Sequence, residues 1–483
     1  MTETLTNYIG GAWISASSNR SLPITNPATG EALCRVPYSR AEDVERAVSV
    51  ARDAFDTWRE VPAVQRARYL FRFKAQLDKR AEDLAKVITS EHGKTIDEAR
   101  AEVRRGIENV EHACGIPTLM MGDALEEIAA GIDCQTVRQP LGVFAAITPF
   151  NFPAMVPLWF FPYAVATGNT CIIKPSELAP LSQNFLFELI EESGFPAGVA
   201  NLVHGDREVA EALVSHPDVA GVSFVGSTPV ARDIYRRAAE HGKRVQAFGS
   251  AKNHVVIMPD ADLEKTVATV IESSFGCAGQ RCLAGNVVIA VGDVYDELRE
   301  RLVAATEKLV VGNGMDFGVN MGPVANPRVK DRVLTMIQSG ISEGAEVLVD
   351  GRAVTVNGHP DGHWVGPTIL ANVTSDMRIA KDEVFGPVML LQRADDLSAA
   401  VETIRGSEYA NATSIFTSSG KAARTFRHRV GVSMVGVNIG VAAPMAFFPF
   451  GGTKGSFFGD TKAHGKDSIR FYTDQKVTIS RWF

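Results

Sequence analysis

Gly221-Val222-Ser223-Phe224-Val225-Gly226-Ser227-Thr228-Pro229 carries a short apolar run into a Gly-Ser turn and then a proline. Proline suits the first turn of a helix, where its missing N–H has no intrahelical partner to lose. The stretch therefore reads as strand, tight turn, helix. The pattern recurs upstream. Val143-Phe144-Ala145-Ala146-Ile147, Thr170-Cys171-Ile172-Ile173 and Ala200-Asn201-Leu202-Val203 are short apolar strands. Helical segments near 155–167, 182–193, 207–215 and 228–241 separate or follow them. Apolar strands alternating with helices predict an α/β fold whose parallel sheet is covered on both faces. Ligands of such sheets sit at the C-terminal ends of the strands. A second α/β run starts at His254-Val255-Val256-Ile257-Met258, passes through 287–291 and extends to about residue 440.

Helices precede the first sheet. Ser39-Arg40-Ala41-Glu42 reads as a capping box opening a helix that runs to Trp58. Its buried face would be Val44, Ala47, Val48, Ala51, Ala54, Phe55 and Trp58. A second long helix is predicted from Pro62 to about Glu91, ended by His92-Gly93. A third runs from about Ile96 to Cys114, stopped by Gly115-Ile116-Pro117. Glu126–Gln139 and the tail Ser468–Phe483 look like strands of a projecting arm.

The chain has 483 residues, too many for one ordinary core, so two or three domains are expected. Its net charge of −7 is spread without a basic block, which argues against a nucleic-acid or anionic-membrane partner. No run of eighteen apolar residues suggests a membrane span. The start, Met1-Thr2-Glu3-Thr4-Leu5, lacks a basic and an apolar leader segment, so no cleaved targeting peptide is expected. Six scattered cysteines, at 34, 114, 134, 171, 277 and 282, are too sparse for a disulfide scaffold. They lack zinc spacing, so no metal is expected, and free thiols fit a reducing cytoplasm.

Phe275-Gly276-Cys277-Ala278-Gly279-Gln280-Arg281-Cys282 puts a cysteine behind a Gly-Gln turn and beside a guanidinium. A neighbouring cation favours the nucleophilic thiolate, so Cys282 is the candidate nucleophile, against the usual fate of a free cysteine as a buried filler. Asn151, in Thr148-Pro149-Phe150-Asn151-Phe152-Pro153, could donate to an oxyanion together with the Cys282 N–H, or form an Asx-turn. Lys174 and Glu177 follow a strand, where they could grip a ribose diol or be solvated charges. A glutamate there would repel a 2′-phosphate and favour NAD over NADP. Gly226-Ser227 could offer N–H groups to a pyrophosphate or be a plain turn. Arg105 and Arg281 could hold a carboxylate. Alternatively, Arg105 is a solvated helix residue and Arg281 serves only to activate the thiol.

Together these residues resemble the aldehyde dehydrogenase superfamily over essentially the whole chain. The matching pieces are Pro149-Phe150-Asn151-Phe152-Pro153, Ile173-Lys174-Pro175-Ser176-Glu177, Phe224-Val225-Gly226-Ser227-Thr228, Gly279-Gln280-Arg281-Cys282, Glu383-Val384-Phe385-Gly386-Pro387 and Pro449-Phe450-Gly451-Gly452. The resemblance implies a Rossmann-type NAD domain (1–122 and 140–251), an α/β catalytic domain (252–462) and a small β oligomerisation arm (123–139 and 463–483). It also implies Cys282 as nucleophile, Asn151 in an oxyanion hole, Phe150 at the cofactor, Glu383 and Phe385 near the nicotinamide riboside, and a homodimer or homotetramer.

Within the superfamily the chain looks like the CoA-acylating methylmalonate-semialdehyde dehydrogenases. The marks include 105–117, Ala251-Lys252-Asn253-His254, Met258-Pro259-Asp260-Ala261 and Lys454-Gly455-Ser456-Phe457-Phe458-Gly459-Asp460. Hydrolytic members carry a glutamate base in Glu-Leu-Gly-Gly-Lys. Here the aligned segment is Val245-Gln246-Ala247-Phe248-Gly249-Ser250-Ala251-Lys252, and Phe248 cannot accept a proton. Losing a general base costs water attack about 10²–10⁴-fold. A thiol such as CoA needs less activation and becomes the better acceptor. The resemblance thus implies oxidation of malonate or methylmalonate semialdehyde to a Cys thioester. CO2 loss and transfer to CoA follow, with Arg105 and Arg281 on the substrate carboxylate. The alternative is a hydrolytic NAD-dependent semialdehyde dehydrogenase giving a free acid. A catalytically idle binding protein is argued against by Cys282 and Asn151.

Overall fold

The computed structural model describes residues 2–483, whose strands form two large sheets and three small ones. The centre of the first sheet is parallel, in the order Ala200–Leu202, Thr170–Lys174, Val143–Ile147, Val219–Val225, Arg244–Phe248. Val143, Ala145 and Ile147 enter one core while Phe144 and Ala146 enter another, as period-two alternation requires for a sheet covered on both faces. From Val143–Ile147 the chain builds outward to one side, then returns to place Val219–Val225 on the other. Such a reversal leaves a crevice at the C-terminal end of the first strand. Lys174 flanks that crevice on one side and Gly226 on the other, with the 148–153 loop between them.

The second sheet has seven strands, ordered Glu346–Val349, Thr368–Ala371, Val388–Ala394, Val287–Val291, His254–Ile257, Ala412–Phe416 and Met434–Val437. Only its first pair is antiparallel. Val287–Val291 is buried throughout and anchors a separate apolar core. A third sheet joins Thr473–Arg481, Ile132–Pro140 and Ala124–Ala129, all antiparallel. Leu125, Ile128, Val137, Val477 and Ile479 on it are exposed. Among the described residues no helix is long and apolar enough to cross a membrane.

Several local expectations shift. The first helix is Ala41–Trp58, and its N-cap is Arg40. An Arg side chain has no acceptor, so the reciprocal bond comes from Asp43, whose Oδ2 accepts from the Arg40 N–H at 2.9 Å. The Ser39 hydroxyl, expected at the cap, pairs with Asn7 instead. The second long helix breaks at Arg80 (φ −108°, ψ 14°) into Ala63–Lys79 and Ala81–His92. The third is Ile96–Cys114, with Thr95 and Glu98 forming its capping box. The tail starts as a helix, Gly465–Tyr472, whose Ile469, Phe471 and Tyr472 are buried in a core of the first sheet. Phe457–Gly459, expected with the second domain, instead pairs antiparallel with Gln246, Ala247 and Phe248 of the first sheet.

Candidate active site

Three successive residues before Cys282 have positive φ: Cys277 (52°), Ala278 (51°) and Gly279 (69°). Each non-glycine in that region costs about 1–3 kcal/mol, so neighbours must hold it there. Gly279 is indispensable to the turn, because a Cβ would lie 2.0 Å from the Gly386 carbonyl oxygen. This close backbone approach ties the cysteine turn to the loop carrying Glu383 and Phe385. Gln280 is fully buried, and its Oε1 accepts from the Ala325 N–H at 3.1 Å. The Cys282 carbonyl accepts from Asn253 at 2.9 Å and from Asn411 at 2.8 Å.

Asn151 is buried, and its amide donates to the Gln280 carbonyl at 3.0 Å. An amide NH2 has a second N–H, which this bond leaves free. The Asn151 carbonyl accepts from Lys94 Nζ at 2.6 Å. The same ammonium meets Glu102 Oε2 at 2.6 Å, and both side chains are wholly buried. The other Glu102 oxygen accepts from the N–H groups of Ala154 and Met155 at 2.9 and 3.1 Å. A buried ion pair therefore pins the 151–155 loop from behind.

Cys282 lines a cleft of about 520 Å³ that also includes Phe152, Trp159, Phe450, Arg105 and Arg281. The structure thus brings both arginines to the cysteine's cleft. Arg105 sits at its wall, bonded to Glu108 at 2.7 Å and to the Pro444 carbonyl at 3.0 Å. Arg281 departs from the expected thiol-activating position. Its Nε lies 3.3 Å from the sulfur of Cys277 and its terminal nitrogen 3.1 Å from Glu98. The left-handed turn is what swings it toward Cys277. Burial, then the Glu383 carboxylate, pushes the Cys282 thiol up to about 12; its own N–H and Arg281 oppose this only weakly. Burial and Glu383 both favour the thiol over the thiolate.

Lys174 is buried at its strand end, donating to the Pro175 carbonyl at 2.6 Å, with Glu177 at 3.5 Å. Nearby His204 is buried with both ring nitrogens unpartnered. Gly226 does not offer the N–H expected for a pyrophosphate, because that group already donates to the Phe248 carbonyl at 3.0 Å. Ser227 is the N-cap of Thr228–Glu240 but makes no capping bond with its side chain. A carboxylate about one third exposed and a helix opening fit a dinucleotide laid along the strand ends. Phe150 stacks on His92 at 6.1 Å and meets Phe385 edge-on at 5.9 Å. Phe385 has φ 58°. Glu383 accepts from the Ala251 N–H at 2.9 Å, and burial raises its carboxyl. Phe248 is buried in an aromatic cluster, 5.0 Å from Phe457 and 6.2 Å from both Phe160 and Phe450.

Three residues at the site, Lys94, Glu102 and His464, carry no motif in the sequence. Glu102 left a trace: it falls on the buried face of its helix, with Ala99, Val103 and Gly106. Lys94 and His464 left none, since their positions are set by distant packing. Lys252 belongs to the Ala251-Lys252-Asn253-His254 motif, whose sequence gives no role for it. It is buried, donates to the Ile379 and Asp382 carbonyls at 2.6 and 2.8 Å, and so braces the Glu383 loop.

The aldehyde dehydrogenase family model matches residues 13–478. Malonate-semialdehyde dehydrogenase 1 of Oceanobacillus iheyensis is 50% identical over 482 residues, covering 100% of this chain and 99% of the relative. Malonate-semialdehyde dehydrogenase 2 of Geobacillus thermodenitrificans is 50% identical over 480 residues, covering 99% of each. Among solved structures, methylmalonate-semialdehyde dehydrogenase of Oceanimonas doudoroffii superposes with a TM-score of 0.98 at 44% identity, covering 100% of this chain and 99% of that one. A Sinorhizobium meliloti protein, provisionally assigned the same activity and complexed with NAD, gives 0.98 at 43% identity, covering 100% and 98%.

Proposed function

The chain belongs to the aldehyde dehydrogenase family, and within it we propose an NAD-dependent, CoA-acylating oxidation of malonate semialdehyde or methylmalonate semialdehyde. Acetyl-CoA or propionyl-CoA is the product. The relatives' names support the semialdehyde. The shared cleft of Cys282 and Arg105 supports a substrate with an aldehyde at one end and a carboxylate at the other.

Cys282 gives up its proton to water and its sulfur adds to the aldehyde carbon, forming a thiohemiacetal. The free N–H of Asn151 donates to the new oxyanion. Lys174, Glu177, Gly226, Ser227, Glu383, Phe385 and Phe150 would hold NAD, which supplies the acceptor for the hydride leaving the substrate carbon. Cys282 then holds the acyl group as a thioester. Arg105 and Arg281 orient the β-carboxylate, whose C–C bond breaks to release CO2. The electron pair moves onto the thioester carbonyl as an enolate, which takes up a proton. The CoA sulfur attacks the carbonyl, and the Cys282 sulfur leaves and takes up the proton that the CoA thiol gives up.

The observation that carries the acylating half is Phe248, whose ring packs into an aromatic cluster where hydrolytic relatives place a carboxylate base. One observation favours a second reading, the hydrolytic enzyme. Glu383 is near enough to raise the Cys282 thiol, and its own carboxyl is raised as a base's would be. Turnover decides between them. With malonate semialdehyde and NAD, steady NADH formation is expected only when CoA is present, with acetyl-CoA identified by mass spectrometry. Equal rates without CoA and a free-acid product would establish the hydrolytic reading. The exposed apolar side chains of the three-stranded arm fit a homodimer or homotetramer. The free cysteines suit a reducing cytoplasm.

A further inference from the structure

Several polar side chains of the Cys282 cleft already have partners: Glu102 has Lys94, Arg281 has Glu98, and Arg105 has Glu108. His464 differs. It lines the same cleft, is only 3% exposed, and has no hydrogen-bond partner at either ring nitrogen. Its ring meets Trp159 edge-on with centroids 5.0 Å apart, and lies 5.5 Å from Phe450. Its backbone φ is +71°, where glycine would sit freely and a side chain is held at a cost. The imidazole packs against the touching rings of Trp159 and Phe450, and no protein group uses its buried nitrogens. Burial, reinforced by Arg105 and His112, pushes the imidazole down to about 3, so it is neutral. A neutral imidazole has one N–H and one lone pair, and leaving them unmet in a buried site costs more than a met bond gains. A ligand that reaches the ring from the cleft can supply the partner. Asn151 is assigned to the aldehyde oxygen, which leaves the other end of the substrate.

We propose that His464 is a specificity residue whose N–H donates to the substrate carboxylate beside Arg105, selecting an acid semialdehyde over an uncharged aldehyde. This rests on the semialdehyde reading above. Arg105 supplies charge at the cleft wall, while His464 supplies direction from an apolar, fixed position. A site built around such a donor discriminates against ligands that leave it unpaired.

The test compares kcat/KM for malonate semialdehyde and for propanal in the wild type and in His464→Phe, His464→Gln and His464→Asn. His464→Phe keeps a planar ring and removes the donor. The ratio of the two kcat/KM values should fall about tenfold, mainly through KM for the semialdehyde. Either His464→Gln or His464→Asn should restore part of it, since their amide nitrogens mimic Nε2 and Nδ1 respectively. An unchanged ratio in His464→Phe, or equal losses on both substrates, overturns the proposal. A wild-type ratio near one would instead overturn the semialdehyde reading. If His464→Phe fails to fold, imidazole nitrogen NMR of the wild type decides. Malonate, at concentrations that inhibit turnover, should shift the resonance missing from His464→Gln; no shift overturns the proposal.

Discussion

Lys174 and Gly226 owe their places to strands of one sheet flanking the same central strand, whereas Cys282 and Arg105 meet only because distant segments pack together. At the strand ends, geometry follows from the ladder: the order of five parallel strands fixes where the crevice opens. Around Cys282 no ladder runs. The cleft is walled by the Ile96–Cys114 helix, the 151–155 loop, the left-handed turn at 277–279 and residues 441–450 and 464. It holds its shape through side-chain ties such as Lys94–Glu102 and the two asparagines on the Cys282 carbonyl. The first kind of site needs little beyond regular structure. The second depends on particular buried polar pairs, and a single substitution should separate the two.

Lys94→Met should have the largest effect. It leaves the wholly buried Glu102 carboxylate without its cation and the Asn151 carbonyl without its donor. Breaking one partner of a buried pair costs about 3–5 kcal/mol. The variant should unfold at a markedly lower denaturant concentration, and turnover should fall with the displaced loop. NAD affinity of the still-folded protein, followed by fluorescence quenching, should change less than about twofold. Loss of NAD binding in step with turnover would show that the two sites share one foundation.

The same contrast explains what was legible in the sequence. Strands, turns and the residues just after them follow local periodicity, so Val287–Val291 and the places of Lys174 and Gly226 could be read directly. Cys282 was legible because Gly279-Gln280-Arg281 precedes it in the chain, and the structure explains the glycine, since the Gly386 carbonyl leaves no room for a Cβ there. The direction of Arg281 was not, since it depends on that turn's left-handed backbone and on Glu98 from another helix. The helix break at Arg80 was hidden by an apolar face that continues across it. His464 was hidden because its unmet nitrogens exist only once Trp159 and Phe450 enclose it.

The second effect concerns the thiol itself. Local sequence puts a cation beside Cys282, whereas the fold turns that cation to Cys277 and brings Glu383 instead. A thiol raised to about 12 is protonated throughout the neutral range, so its reactive fraction grows as pH rises. Without NAD, iodoacetamide should modify Cys282 about tenfold faster per pH unit between about pH 7 and 9, without a plateau. Peptide mass spectrometry reads the site, with Cys282→Ala as the blank. A plateau near pH 8 would restore the thiolate-activating view of Arg281. Glu383→Gln removes a cause of the upward shift and should speed modification several-fold at fixed pH.

The smallest effect is expected at the strand ends, where the side chain in question is partly solvated. Glu177 pairs loosely with Lys174, and its carboxylate is about one third exposed. If it faces the adenosine ribose, it repels the 2′-phosphate of NADP. Two unit charges about 4 Å apart interact by about 1 kcal/mol in a water-like dielectric. Glu177→Gln keeps an acceptor for the ribose hydroxyls and removes the charge. The ratio of kcat/KM for NAD over NADP should therefore fall about fivefold, and the change should shrink as salt is raised, because exposed charges are screened. A fall that persisted at high salt would mean that the side chain's shape, rather than its charge, discriminates. No change at any salt would place the ribose elsewhere along the sheet and would weaken the view that this half of the site is fixed by strand order alone.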